Sequence, residues 1–509
     1  MQLDPSFGIG GKVLTDIAGP VWEDEHFTLI VQPDGKLVAP GKAYNSATGD
    51  FDFVVIRYNS NGSLDSSFDG DGKAITDIAA THDEALGLVR QADGKLVAAG
   101  VARNGALGDF ALVRYNADGS LDTSFGTGGR VRTDFFGADD VALGLVVQPD
   151  GKLVAGGYAT LPQSGVDFAL ARYNTNGSLD PSFGIGGIST TDFFGSSDWA
   201  FRLTIQSDGK LVAVGGTANT STGNSDFAIA RYNSNGRLDA SFATFGKAGV
   251  GSTDFSNGTD YALAVLVQPD GGILAGGLAY GPGSGTFEMA LARYLPDGTL
   301  DQNFATYGKK GVVTTDFFGD YDQMLALALQ PDGKILAAGH AKHPKRNFEF
   351  ALARYNPDGT RDTSFGYGGL LSTDFFGGPD GVHGLVLQED GKAVVAGDAF
   401  NPNTGGDDFA LARYRVADPD WIAGVVSSLP AGAFNAAASR TTILAALDQV
   451  EATVTAGQIA NAITQLQSLR QHLNGCPLAP DADDWIIDCT AQTKVRVLVD
   501  EVTSKLQAP

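Results

Sequence analysis

Gln148-Pro-Asp-Gly-Lys-Leu-Val-Ala-Gly-Gly157, followed by Asp167-Phe-Ala-Leu-Ala-Arg-Tyr-Asn-Thr-Asn-Gly-Ser-Leu-Asp-Pro-Ser-Phe-Gly184, is the stretch that decides the fold. Pro-Asp-Gly-Lys demands a tight hairpin, because glycine accepts positive φ and aspartate bonds back to its own backbone. The flanking runs are short and rich in valine, leucine, phenylalanine and tyrosine, as strands are. Upstream, Gly129-Arg-Val-Arg-Thr-Asp134 and Ala142-Leu-Gly-Leu-Val-Val-Gln148 read the same way. The unit is four short antiparallel strands.

That unit recurs along the chain. The hairpin glutamine returns at Gln32, Gln91, Gln148, Gln206, Gln268, Gln330 and Gln388, and the Arg-Tyr pair at Arg57, Arg114, Arg172, Arg231, Arg293, Arg354 and Arg413. Leu-Asp-x-x-Phe starts at Leu3, Leu64, Leu121, Leu179, Leu238 and Leu300, and in altered form at Arg361. Series locked in phase at about sixty residues indicate a repeat architecture. One four-stranded unit cannot bury both its faces, whereas seven around an axis can. A lone strand, Gly11–Asp16, precedes the first hairpin, and its counterpart is missing after Arg413-Tyr414. Lys12–Asp16 is therefore expected to pair with Phe409–Tyr414. The predicted fold is an all-β, seven-bladed β-propeller over residues 1–416, its N-terminal strand closing the last blade, followed by a small α-helical bundle over 417–509.

In the tail, Ile443, Leu447, Val450 and Val454 lie on one helical face, and Gly457 offers a stop. Ile459, Ile463, Leu466, Leu469 and Leu473 form a second stripe, and Val495, Leu498, Val499, Val502 and Leu506 a third. Three helices are expected. Cys476 and Cys489 lie between the second and third. A disulfide there implies an oxidising compartment, two buried thiols being the alternative.

The propeller segments quoted above resemble the delta-60 repeat of bacterial extracellular proteins over residues 3–414, and their strand logic is similar to that of NHL-type propellers. The latter likeness implies that the strand before each Gln-x-Asp-Gly is innermost. The tail resembles FIMAH-type helical modules of bacterial surface proteins. None of these resemblances implies a defined activity.

Composition narrows the function. A formal charge of −24 disfavours nucleic acid and anionic membrane surfaces. No run of 18 apolar residues stands ready to insert in a membrane. The chain enters its first repeat at once, without a basic n-region or apolar h-region, so an extracellular or cell-surface location implies a leader already removed. There is no Gly-x-Ser-x-Gly, no His-Glu-x-x-His and no phosphate loop, and the six histidines show no metal-ligand spacing. No motif calls for a cofactor.

Three acidic series run through the repeat. Asp16, Asp77, Asp134, Asp192, Asp254, Asp316 and Asp374 end the Thr-Asp strand, where the repeat arginines are expected to pair with them. Asp4, Asp65, Asp122, Asp180, Asp239, Asp301 and Asp362 stand in the Leu-Asp connection, an oxygen-rich loop without the acidic final ligand of an EF-hand. Asp24, Asp83, Asp140, Asp198, Asp260, Asp322 and Asp380 each precede the hairpin glutamine by eight residues. If the following strand is innermost, these seven ring one mouth of the central channel, where they would attract calcium or share protons. The plainer expectation is that each caps its own loop.

Residues that break the symmetry are the candidate ligand rim: Trp22, Trp199, Arg202, Tyr261, Tyr321 and His383, with the basic loop from His340 to Arg346. Aromatic edges on a rim suit sugar rings or a partner's side chains. The expected function is binding or scaffolding of a protein or glycan. The alternatives are a hydrolase or lyase with a calcium-assisted site at the channel mouth, using Arg202 or His383 as acid or base, and a purely structural surface-layer or adhesive element.

Overall fold

The computed structural model of the protein describes residues 3–17, 25–26, 28–46, 48–79, 81–162, 164–243, 247–305, 309–473 and 484–507. Seven antiparallel sheets follow one another along the chain. In the third, strands Asp140–Val147, Leu153–Leu161, Gly165–Tyr173 and Ile188–Thr191 lie side by side in chain order. The hairpin forms as read: Gln148 N–H donates to Lys152 O at 2.8 Å, and Gly151 sits at φ 82°. The first strand of each blade faces its counterparts in the neighbouring blades and is the innermost. Its register shifts by one residue, as between Ala142 and Gly144, which leaves Leu143 as a bulge toward the axis end of the blade.

The ring closes as the sequence predicts. Lys12–Thr15 pairs with Gly406–Arg415, Lys12 opposite Ala412 and Thr15 opposite Phe409, and supplies the outer strand of blade seven. Two side-chain bolts then join successive blades. Each repeat tyrosine reaches the outer strand of the preceding blade, as Tyr173 Oη donates to Thr133 Oγ1 at 2.9 Å. Across the closure Tyr58 does the same to Thr15 at 3.0 Å. Each repeat arginine is the second bolt. Arg172 lies 2.9 Å from Asp180, stacks over Phe183 and donates to Ser234 O of the next blade at 2.6 Å.

This corrects the expected arginine pairing. The partners are the Leu-Asp carboxylates, as in Arg57–Asp65, Arg231–Asp239 and Arg413–Asp4, and not the Thr-Asp series. The reason is the antiparallel register. Thr191 stands opposite Phe168, so Asp192 lies near the start of the third strand while Arg172 lies at its far end. The Leu-Asp turn folds back onto that far end, where Asp180 N–H donates to Arg172 O at 2.9 Å.

Four helices follow, one more than the three stripes predicted: α1 (Pro419–Ser428), α2 (Ala437–Thr455), α3 (Ile459–Gln471) and α4 (Cys489–Gln507). The additional helix, α1, is short. Asp418 caps it by accepting the Trp421 N–H, with proline in its first turn. Gly457 ends α2 near φ 72°, as expected. The predicted stripes are largely buried, with Ile443, Val450, Leu466, Leu498 and Val502 inside, whereas Ile459 is 36% exposed. The helices share one continuous core with blades six and seven, running from Leu336 and Tyr414 to Ile422 and Leu498. They sit at the hairpin end of those blades: Lys334 meets Asp420 at 2.8 Å, and Arg354 meets Asp418 at 2.9 Å. The opposite end, where the Thr-Asp strands finish, is left uncovered by the helices.

Candidate functional site

The uncovered face is built from the inner-strand aspartates. Asp83, Asp140, Asp198, Asp260, Asp322 and Asp380 are the first residues of their strands and no more than 1% exposed. Each accepts a backbone N–H from the loop before it: Phe135 to Asp140 at 2.8 Å, Phe193 to Asp198 at 2.7 Å, Phe375 to Asp380 at 2.9 Å. Loop capping is the role they play. Asp83, Asp140, Asp198 and Asp260 also face the seam between their own blade and the preceding one. Asp24, the seventh of the series, and Trp22 lie outside the described residues.

In that seam the aspartates meet an acidic series that sequence reading passed over, the residue before the repeated Phe of the third strand. Asp52, Asp77 and Asp83 bring one carboxylate oxygen each within 4.8 Å of the others. Asp109, Asp134 and Asp140 do the same, as do Asp167, Asp192 and Asp198, and Asp226, Asp254 and Asp260. In every set the first two acids belong to one blade and the third to the next. Burial, reinforced by the neighbouring carboxylates, pushes Asp83 up to about 6 and Asp140, Asp198 and Asp260 to about 7. Asp322 and Asp380 rise to about 8 for the same reasons. The signal was present in the sequence: Asp-Phe recurs at Asp52, Asp109, Asp167, Asp226 and Asp408, with Glu288 and Glu349 in the remaining repeats.

The Leu-Asp carboxylates are different. Asp180 is bonded by Lys152 at 2.7 Å, by both the N–H and hydroxyl of Ser182, and by Arg172, which together hold it well below the usual carboxylate range. Cations of the protein fill this place, so it offers no calcium loop.

One residue further along each inner strand lies the layer where the blades differ. Strand pairing sets Glu84 opposite Val101, Val141 opposite Tyr158, Trp199 opposite Gly216, and Tyr261 opposite Leu278. Gln323 stands opposite His340 and Gly381 opposite Asp398. The layer divides into three sectors. Lys42 and His82 flank Glu84, each at 3.7 Å. Trp199 and Phe201 each meet Tyr261 edge to face, with centroids 6.4 and 6.0 Å away, and Tyr261 Oη bonds Ser225. Gly216 admits this packing, since a Cβ there would lie 2.3 Å from the Tyr261 ring.

The third sector holds His383, whose Nε2 is 2.9 Å from Asp398 Oδ1. His383 occupies the bulge position held by Leu86 and Leu143 in other blades. Beside it, burial first and then His383 lower the pKa of His340 to about 4, so that it is neutral at pH 7. Tyr321 stacks on His340 with centroids 6.3 Å apart and donates to Gln323 at 3.0 Å.

Among the predicted rim residues, Trp199 joins Tyr261, and Tyr321 joins His383 through His340. Arg202 belongs to neither sector. It is half-buried along the inner strand, bonds Phe201 O, and burial lowers its pKa to about 10. The basic loop is answered by acids, Lys342 by Asp320 at 3.2 Å and Arg346 by Glu349 at 2.9 Å. Cys489 begins α4, while Cys476 lies outside the described residues. No helix among the described residues is long and apolar enough to cross a membrane.

Among solved structures, a protein of unknown function from Dyadobacter fermentans is 14% identical, the match covering 80% of this chain and 100% of that one with a TM-score of 0.42. A catalytically inactive virginiamycin B lyase from Staphylococcus aureus with quinupristin is 9% identical over 79% and 99%, with a TM-score of 0.44. An α-L-arabinofuranosidase from Fusarium graminearum is 11% identical over 65% and 92%, with a TM-score of 0.36. These likenesses concern the propeller fold alone. No curated protein matches the sequence. Residues 32–68, 91–125, 148–183, 206–242, 268–304 and 330–365, which carry the hairpin, the Arg-Tyr pair and the Leu-Asp turn of the first six repeats, match the family described as "Domain of unknown function (DUF5122) beta-propeller".

Proposed function

We propose that the protein is a secreted or cell-surface propeller that binds a protein or glycan over the layer containing Trp199, Tyr261, Tyr321, His340, His383 and Asp398, with the helical region as its attachment or spacer. The observation that carries this reading is the confinement of asymmetry. In a ring whose bolts repeat blade after blade, the residues that differ gather around the axis at the end opposite the helices. A rigid scaffold with a variable face is how recognition surfaces are commonly built. The half-buried Trp199 and Tyr261 edges suit stacking on a sugar or anchoring a partner's side chain. The extracellular location rests on the likeness to delta-60 repeats and FIMAH-type modules. The test is a glycan array together with pull-down from the native surroundings, comparing wild type with Trp199→Ala/Tyr261→Ala. Capture lost in the variant is the expected result; equal capture by both would remove this face from the function.

A hydrolase or lyase is a second reading, favoured by the His383–Asp398 pair. In it, Asp398 orients the imidazole and His383 moves the proton. Under that reading His383→Gln abolishes turnover but keeps ligand binding, whereas a binding protein has no turnover to lose. Regular self-association without any ligand would instead favour the structural surface-layer role.

A further inference from the structure

We propose that the seams between blades are divalent-cation sites of the calcium class, the first formed by Asp52, Asp77 and Asp83. The third seam, with Asp167, Asp192 and Asp198, repeats it. The ion would staple consecutive blades: two ligands come from the third and fourth strands of one blade, and one from the inner strand of the next.

Proximity of acids alone does not make a site. Here the deciding observation is the state of the individual oxygens. Asp83 is fully buried; its Oδ2 accepts N–H bonds from Ile78 and Ala79 at 2.6 and 3.0 Å, while its Oδ1, also buried, accepts none. Asp52 is 2% exposed and shows the same division, with Asn45 on Oδ2 at 2.8 Å and nothing on Oδ1. Asp167 keeps a buried Oδ1 without a hydrogen bond as well. A buried, unbonded carboxylate oxygen carries a large desolvation cost that an ion in contact would remove.

Size and chemistry agree with calcium. Oxygens about 2.3–2.6 Å from a calcium ion lie at most about 5 Å apart across it. In each triad the three oxygens lie within 4.8 Å of one another, inside that limit. All donors are oxygen, which excludes soft metals, and the remaining ligands of such a site are water or backbone carbonyls. The sixth seam supplies a contrast within the molecule. There a glutamate replaces the third-strand aspartate, and Arg346 lies 2.9 Å from Glu349 and 3.3 Å from Asp374. Where the protein provides its own cation, the three acids do not converge as the four aspartate triads do. In the absence of an ion or a guanidinium, burial and mutual repulsion raise the pKa of Asp83 to about 6.

The experiment uses the full chain stripped with chelator, then dialysed against calcium, with bound ions counted by elemental analysis and melting followed in parallel. Wild type is expected to take up calcium and to melt higher with it. Asp83→Asn and Asp198→Asn are each expected to lose one ion per chain and to shrink the calcium-dependent shift. In chelator both should melt no lower than wild type, since each removes a buried acid. Glu349→Gln should leave the ion count unchanged. If Asp83→Asn fails to fold, Asp52→Asn must lose the same single ion. Wild type that takes up no calcium at millimolar free concentration, or aspartate variants with an unchanged count, would overturn the proposal and leave shared protons as what holds the seams.

Discussion

Replacing Asp4 by Asn tests whether the first residues of the chain carry the same load as any internal repeat. Asp4 is fully buried, its Oδ2 is 2.8 Å from Arg413, and Arg415 and Lys392 stand at 3.6 and 3.9 Å. Its counterpart inside the ring is Asp122, 2.8 Å from both Arg114 and Lys95. In each case asparagine keeps the shape but strands a guanidinium that is no more than 6% exposed. Breaking a buried pair in this one-sided way costs about 3–5 kcal/mol. A propeller of about 410 residues, at about 2.1 cal/mol/K each, unfolds with an entropy near 0.9 kcal/mol/K, so the melting temperature should fall by about 3–6 °C. Because Asp4 faces three cations, Asp4→Asn should fall at least as far as Asp122→Asn. Differential scanning calorimetry of wild type and both variants at one scan rate reads this directly. Asp4→Asn melting within about 1 °C of wild type, while Asp122→Asn drops by several degrees, would refute the view that the N-terminal segment bears its share of closure.

Tyr173→Phe strands the buried Thr133 hydroxyl and should cost about 1–3 kcal/mol, most of it recovered in Tyr173→Phe/Thr133→Val; a double-mutant cycle by chemical denaturation checks the pair. Asp322 and Asp380, pushed up to about 8, bind protons in the folded chain that the unfolded chain releases near pH 4. Their protonation favours the fold below that pH, and the advantage is lost as pH rises to about 8, so melting temperature should decline across this window in chelator and decline less in Asp322→Asn. Gly424 of α1 is pressed on the sixth-blade hairpin, where a Cβ would fall 2.3 Å from Pro331 C and O. Gly424→Val should therefore loosen the helices, seen as faster limited proteolysis after Arg415 with the propeller left intact. Mass spectrometry of the unreduced chain after alkylation should find Cys476 and Cys489 unmodified if the compartment is oxidising.

The repeat itself, the seven blades, the hairpins and the ring closure were all legible in the sequence. Each follows from local chemistry: positive φ at a Pro-Asp-Gly turn, short runs rich in valine, leucine, phenylalanine and tyrosine between turns, and a strand missing at one end that is present at the other. Three of the four helices were legible for the same reason, and α1 was missed because it is short.

What the tertiary structure alone decided lies between units. Sequence counted seven arginines and twenty-one aspartates in phase but could not say which carboxylate each guanidinium meets. That choice depends on which end of the strand the chain returns to. Nor does Asp83 announce that it will face Asp52, some thirty residues earlier and in another blade. It reads as a ring residue until the twist of the inner strand turns it into the seam. The convergence of Tyr321, His340 and His383 is of the same kind. Tyr321 and His340 share the hairpin of the sixth blade, but His383 belongs to the seventh, and only a closed ring, in which each blade's position is fixed by its neighbours, brings it within reach of the other two.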